Sequence, residues 1–501
     1  MRFLMSFISV VLFTVSAAQA QRSIEFVNTA GASGAAFFAI ADETDLSMIE
    51  SVAGAEVSAR IAQAIAATGF IADVGTMAHF VGGDEAWGEV HLVAVHDEMT
   101  ARDWQDFGGR VAGVANTLTA EDIFIVGGVD AQNTAIGAVL GGYTFNKYKS
   151  EHTPVTGRIA IVTDDAAAAA AEYAARSGAL AQAVSWARDQ QSEPANALYP
   201  EEFVRRARAA LRGVDNVSIK VLDVRAMERM GMGAILGVGR GSVRPPRMLI
   251  IHYRGADGDP LILAGKGITF DTGGISLKPN QNMWQMKSDM TGAAVVTATA
   301  MSLAKSKAPV NVVAIAALAE NMPDGRAQRP GDVVRTMSGK TVEILSTDAE
   351  GRLVLADAVW YAQETYSPEM LIDVATLTGS VGRALGDEYA GLFSHDDEIA
   401  DALIAVGERS GDDLWRLPLH KNHFVQIKSK IGDIKNSNTG APGASTGAAF
   451  IGSFIKEETP WAHLDIAGVD WPLEPTPTTP VGASGFGVRL LDAYAREMAG
   501  E

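Results

Sequence analysis

The chain has 501 residues, a formal net charge of −19 and no cysteine. Its length exceeds one ordinary core and predicts two domains. The missing thiols exclude disulfides, thiolate zinc sites and a cysteine nucleophile, and the acidic balance argues against nucleic acid as a partner.

From the N-terminus, Met1-Arg2 is a short basic start, Phe3 to Val15 is nearly all apolar, and Ser16-Ala17-Ala18-Gln19-Ala20 ends in an Ala-x-Ala arrangement. This pattern predicts a signal peptide over 1–20, a mature chain from Gln21 and a periplasmic or secreted location. The run is too short to span a bilayer comfortably, so no membrane association is expected after cleavage. Residues 21–165 alternate short apolar runs (Val90 to Val95, Ile123 to Val126, Ile159 to Val162) with Ala- and Gly-rich segments. That alternation predicts an α/β domain with a mainly parallel sheet. Asp164 to Gln191 is dominated by Ala and predicts a long helix, ended at Ser192-Glu193-Pro194. Residues 166–195 are therefore expected to link the first domain to a second, 196–501. There, strands are predicted at Met248 to His252, Pro260 to Leu263, Val310 to Ala317, Met370 to Thr376 and Trp461 to Ile466. Helices are predicted at Thr291 to Ala304, Leu353 to Glu364 and Ala448 to Lys456, and a surface loop at Pro472 to Pro480.

Two segments carry chemistry. In Leu263 to Lys278, an apolar run leads into four glycines around Lys266, Lys278 and Asp271. Loops after strands are where open α/β sheets hold ligands, and the segment continues to Asp289 at the start of a helix. The second, Ser346 to Leu353, spaces Asp348, Glu350 and Arg352 by two, so in an extended stretch all three face one way. Four carboxylates (Asp271, Asp289, Asp348, Glu350) without His or Cys form an oxygen-rich site suited to Mg²⁺ or Mn²⁺, and able to hold Zn²⁺. Spacing alone leaves open that these are solvated turn residues, with Asp348 a helix cap. Gly265-Lys266-Gly267 lacks the spacing that wraps phosphates. No Gly-x-Ser-x-Gly elbow supports a serine hydrolase. His463 reads as a core residue rather than a ligand.

The segment Thr347-Asp348-Ala349-Glu350-Gly351-Arg352-Leu353 closely resembles the signature of the leucyl aminopeptidase family of two-metal metallopeptidases. Gly265 to Lys278, Glu193 to Asn196, Ala375 to Gly379, Trp461 to Gly468 and Tyr143 to Lys149 resemble the same family. The resemblance implies a smaller N-terminal α/β domain joined by a long helix to a larger catalytic domain with a central mixed sheet. It also implies hydrolysis of N-terminal residues, leucine and similar, from peptide substrates. Asp271, Asp348 and Glu350 would hold one divalent ion; Lys266, Asp271, Asp289 and Glu350 would hold the other, the ions being zinc or manganese. A lysine ligand must be neutral, which neighbouring dications favour. Lys278 and Arg352 would be catalytic, the first stabilising the developing oxyanion and the second holding a bicarbonate base. Met286, Thr376, Leu377, Gly379 and Ala467 match positions lining the pocket for the N-terminal residue. The family implies a homohexamer. Ser346, Trp284 and Thr291 depart from its usual pattern. The rival readings are an inactive or regulatory binding protein of the same fold, against which the complete set of site residues argues, and a two-metal phosphatase or nuclease, which would need a phosphate-gripping basic cluster beyond Lys278 and Arg352 that the sequence does not offer.

Overall fold

The computed structural model describes residues 21–81, 87–152, 154–438 and 443–501. The expected leader, 1–20, lies outside the described residues. The first six strands are β1 (Ser23–Val27), β2 (Gly34–Ile40), β3 (Met77–Val81), β4 (Trp87–Ala94), β5 (Asp122–Val126) and β6 (Arg158–Val162). They form one sheet in the order β1-β6-β5-β2-β4-β3. All pairs are parallel except β3 on β4. Its strands are apolar on alternate residues in both directions because both faces are covered. Phe37, Val93 and Ile125 pack on one side, and Phe38, Leu92 and Val126 on the other.

The predicted connector is helical over Ala166–Ser192, but a π-helical turn at Tyr173–Ser177 divides it into Ala166–Glu172 and Gly178–Ser192. Arg188, 1% exposed, fastens this helix to both halves of the chain. Its guanidinium donates to the carbonyls of Leu140, Thr478 and Ser484 at 2.7–2.9 Å. The stretch Pro472 to Pro480 is thus more than a surface loop: Thr478 is buried, and the Pro477 carbonyl lies so close to Gly109 and Gly141 that neither tolerates a Cβ.

The larger half holds β7 (Val217–Leu222), β8 (Arg247–Arg254), β9 (Leu261–Asp271), β10 (Asn311–Asn321), β11 (Val333–Arg335), β12 (Thr341–Glu343), β13 (Met370–Ala375), β14 (Ala390–Ser394), β15 (Leu414–Arg416), β16 (Ile434–Lys435) and β17 (Trp461–Asp465). Eight form a mixed sheet, β15-β14-β17-β13-β9-β10-β8-β7; β11, β12 and β16 form a small separate one. The core of the large sheet, β17-β13-β9-β10, is parallel. β9 runs further than predicted, because Gly265 and Gly267 continue the strand instead of opening a loop. The reason is packing: a Cβ at Gly265 would stand 2.3 Å from the Gly292 carbonyl, so glycine lets the buried helix Thr291–Lys305 lie directly on the strand. The fold is two α/β domains, the smaller N-terminal one joined by the helix to the larger. Among the described residues, no helix is long and apolar enough to cross a membrane.

Candidate active site

The central parallel strands end on one side of the large sheet, where open α/β folds place ligands. Lys266 lies within β9 and Asp271 ends it; Thr376 to Gly379 follow β13, and Ala467 follows β17. Glu350 immediately precedes the helix Gly351–Tyr366. Lys266 Nζ stands 2.7 Å from Asp289 Oδ1 and 3.0 Å from Glu350 Oε1, and donates to the Thr376 carbonyl at 2.7 Å. Lys278 Nζ stands 2.9 Å from Asp271 Oδ2 and 2.5 Å from Asp348 Oδ1. The two lysines thus divide the four carboxylates between them.

The loops that carry these groups are pinned to each other. Thr347 Oγ1 donates to the Gly273 carbonyl at 2.6 Å and accepts from the Ser276 amide, while Ser276 Oγ accepts from the Thr347 amide. Gly273 and Gly274 have φ of 84° and 65°, a left-handed turn that side chains resist. Asn321 at the end of β10 donates one amide to both Asp271 Oδ1 (2.7 Å) and the Thr347 carbonyl (2.9 Å), fixing the aspartate against the second loop. Thr376 Oγ1 donates to Asp289 Oδ1 at 2.7 Å.

Burial sets the electrostatics. It pushes Asp271 up to about 6, with Glu350 adding to the effect, and holds Asp289 well above the usual carboxylate range. Burial opposes charge on both lysines, yet the surrounding carboxylates hold each above the usual range. Against the same burial, Lys266 and Lys278 keep Glu350 below its ordinary value. Two buried carboxylate oxygens, Asp289 Oδ2 and Glu350 Oε2, have no hydrogen-bond partner. Oxygens of Asp271, Asp348 and Glu350 lie within 4.8 Å of one another. Buried acceptors left unpaired are costly; several converging from carboxylates fit divalent cations.

Around this cluster is a cavity of about 300 Å³, lined by Lys266, Asp271, Lys278, Met286, Asp289, Asp348, Glu350, Thr376, Leu377, Gly379 and Ala467. The remaining sequence-predicted residue, Arg352, is not among its lining residues. Its guanidinium donates to the Asn436 carbonyl at 2.9 Å, and its Nε is buried without a partner. The expected convergence holds for Asp348 and Glu350, whose oxygens meet, but does not extend to Arg352: the helix begins at Gly351, and on a helix residues two apart diverge by about 200°.

Gln285, Ser288, Thr378, Gly468, Asp470 and Trp471 also line the cavity. Asp470 was findable, two residues beyond the motif Trp461 to Gly468; Asn321 had no local signal. Trp284, 58% exposed, meets Trp471 edge-on at 6.2 Å beside this opening. Thr291 Oγ1 donates to the Ser288 carbonyl at 2.6 Å and accepts from Gln191 Nε2 at 2.9 Å. Ser346 Oγ accepts from the Asp348 amide. His463 is fully buried against Asp373 at 2.6 Å, a core residue as read.

Comparison with known proteins places this geometry in a family. The catalytic-domain model of the cytosol aminopeptidase family matches residues 185–492. A probable cytosol aminopeptidase of Rhizobium rhizogenes is 46% identical over 418 residues, 80% of this chain and 83% of the relative. One from Rickettsia bellii is 48% identical over 371 residues, 72% of this chain and 74% of the relative. Among solved structures, a bottromycin maturation enzyme in complex with Mn matches with a TM-score of 0.82 at 32% identity, covering 93% of this chain and all of the other. A mutant of tomato leucine aminopeptidase matches with a TM-score of 0.85 at 28% identity, covering 96% and 98%. The relatives are named for the cytosol, which overturns the expectation of a periplasmic or secreted protein. With its matched catalytic domain, its close relatives and a buried carboxylate–lysine centre, the chain belongs to the cytosol aminopeptidase family and is a metal-dependent, peptide-hydrolysing aminopeptidase.

Proposed function

We propose that the centre holds two divalent ions and removes N-terminal residues, leucine and similar, from peptides. The observation that carries this reading is the pair of partnerless buried oxygens, Asp289 Oδ2 and Glu350 Oε2, in a cavity where two further carboxylates converge. The ligands would be Asp271, Asp348 and Glu350 for one ion, and Lys266, Asp271, Asp289 and Glu350 for the other, with zinc or manganese as the metal. When bound, such ions acidify a water molecule and polarise the scissile carbonyl.

The chain's own residues supply the rest. Lys278, partly exposed to the cavity, stabilises negative charge developing on the carbonyl oxygen. Thr376 orients Asp289 by its 2.7 Å hydrogen bond, and Asn321 orients Asp271. Met286, Thr376, Leu377, Gly379 and Ala467 form the wall for the first side chain. Arg352 is assigned a bicarbonate base; its position off the cavity lining means that the guanidinium must leave the Asn436 carbonyl, or share it, to serve that role. The division 21–165, 166–195 and 196–501 follows the two large sheets and the helix between them. A homohexamer is the proposed assembly, checked by light scattering on the eluting peak. The deciding experiment measures metal per chain alongside cleavage of a panel of aminoacyl-p-nitroanilides. Two ions per chain and fastest turnover on Leu support the reading; one ion, or no preference for leucine-like residues, overturns it.

A further inference from the structure

A second cluster of metal-binding side chains lies outside this centre, in the N-terminal sheet. His79 is on β3, the edge strand, and pairs in register with His91 on β4. Glu89 is two residues before His91 on the same strand, so its side chain leaves the same face. Both imidazoles reach one carboxylate oxygen: His79 Nε2 and His91 Nε2 each stand 3.3 Å from Glu89 Oε2. One ligand atom from each residue lies within 4.8 Å of the others.

The rings are held before any ligand arrives. His91, 2% exposed, is stacked between two flat neighbours: Phe37 at 4.2 Å and 4°, and His79 at 4.5 Å and 11°. Side-chain freedom is thus already spent, which favours binding. The two distances fit a shared ion as well as they fit hydrogen bonds. Charge-assisted N–H···O contacts are typically about 2.7–2.9 Å. Donors held about 2.0–2.1 Å from one tetrahedral ion stand about 3.3 Å apart, the separation found from each histidine Nε2 to Glu89 Oε2. His79 is 48% exposed and Glu89 32%, which leaves an entry path and room for water as a fourth ligand.

We propose that His79, Glu89 and His91 form a divalent-cation site of the zinc class in the N-terminal domain, clamping edge strand β3 to β4. The site would tie the one antiparallel pair of this sheet to metal supply, since an ion that binds only the folded state stabilises it. His91 Nδ1 is buried without a partner. Metal-bound imidazoles usually gain affinity from a hydrogen bond at that second nitrogen, so binding weaker than at the carboxylate–lysine centre is expected.

The test uses the full chain and Co²⁺ as a spectroscopic stand-in for zinc. The wild type, His79→Ala and Glu89→Gln are titrated side by side, and visible absorption of four-coordinate cobalt and bound metal per chain are read. Each variant should bind one ion fewer than the wild type, or bind that ion at least tenfold more weakly, while its hydrolysis of Leu-p-nitroanilide stays unchanged. Zn²⁺ should raise the melting temperature of the wild type by more than that of either variant. Glu89→Gln preserves size and keeps the test valid if His79→Ala folds poorly. Equal stoichiometry and equal cobalt spectra in all three proteins overturn the proposal.

Discussion

Gly351→Ala isolates the geometry of the centre from its chemical groups. The residue is the first of the helix Gly351–Tyr366, where alanine is intrinsically favoured over glycine by about 1 kcal/mol. Nothing about the backbone there demands glycine, since its φ is not positive. The obstacle is Lys266: a Cβ at 351 would stand 2.5 Å from its Cδ, 2.6 Å from Cε and 2.8 Å from Nζ. Reaching ordinary contact at 3.4 Å needs a shift of about 0.9 Å. Lys266 is 3% exposed and tied to Asp289, Glu350 and the Thr376 carbonyl, so it has nowhere to move without breaking one of them. A misplacement of about 1 Å in a catalytic constellation costs on the order of 100-fold. The variant should therefore melt within a few degrees of the wild type, hold less metal, and lose about 10- to 100-fold in kcat on Leu-p-nitroanilide. Metal content, melting temperature and kcat are to be measured on one preparation. Full metal occupancy with kcat within twofold of the wild type would refute the claim that Lys266 is held where the chemistry needs it.

Lys278→Ala should fold, keep its metal and lose about 100- to 1000-fold in kcat, as removal of an oxyanion donor typically does; steady-state kinetics on metal-replete protein check this, and near-normal kcat ends the assignment. Asp271→Ala should reduce bound metal at both proposed positions, because its carboxylate is assigned to both; elemental analysis showing two ions per chain and normal activity contradicts that sharing. Asp357→Ala tests the frame behind the site. Its fully buried carboxylate accepts from the amides of Ala234, Ile235 and Met337 at 2.8–3.0 Å, and orphaning buried donors costs about 1–3 kcal/mol each. A loss of unfolding free energy of at least that order, read from chemical denaturation, is expected, with kcat of the remaining folded enzyme little changed.

Much of this architecture was present in local sequence. Alternation of apolar runs with Ala-rich segments is enough to predict two α/β domains, because strands buried on both faces must be continuously apolar. The candidate groups also stand out in two short segments, since Asp271, Lys278, Asp348 and Glu350 sit close together in sequence among glycines. Resemblance supplied the expectation that Lys266 is a ligand, which spacing could not: a lysine in an apolar strand reads as an interruption until its three partners are seen around it.

The remainder was decided in three dimensions. β9 continues through Gly265 and Gly267 only because the Thr291–Lys305 helix presses on it, a contact between segments that no window of sequence contains. Asn321 became part of the site because β10 ends beside β9, which brings its amide to Asp271 across 50 residues. Arg352 shows the converse. It shares a seven-residue motif with Glu350, yet the onset of the helix turns it away to the Asn436 carbonyl, 84 residues on. Residue types limit which chemistry a segment can perform; the angle at which each backbone element delivers its side chains is a property of packing between elements, and that decided which of these residues meet.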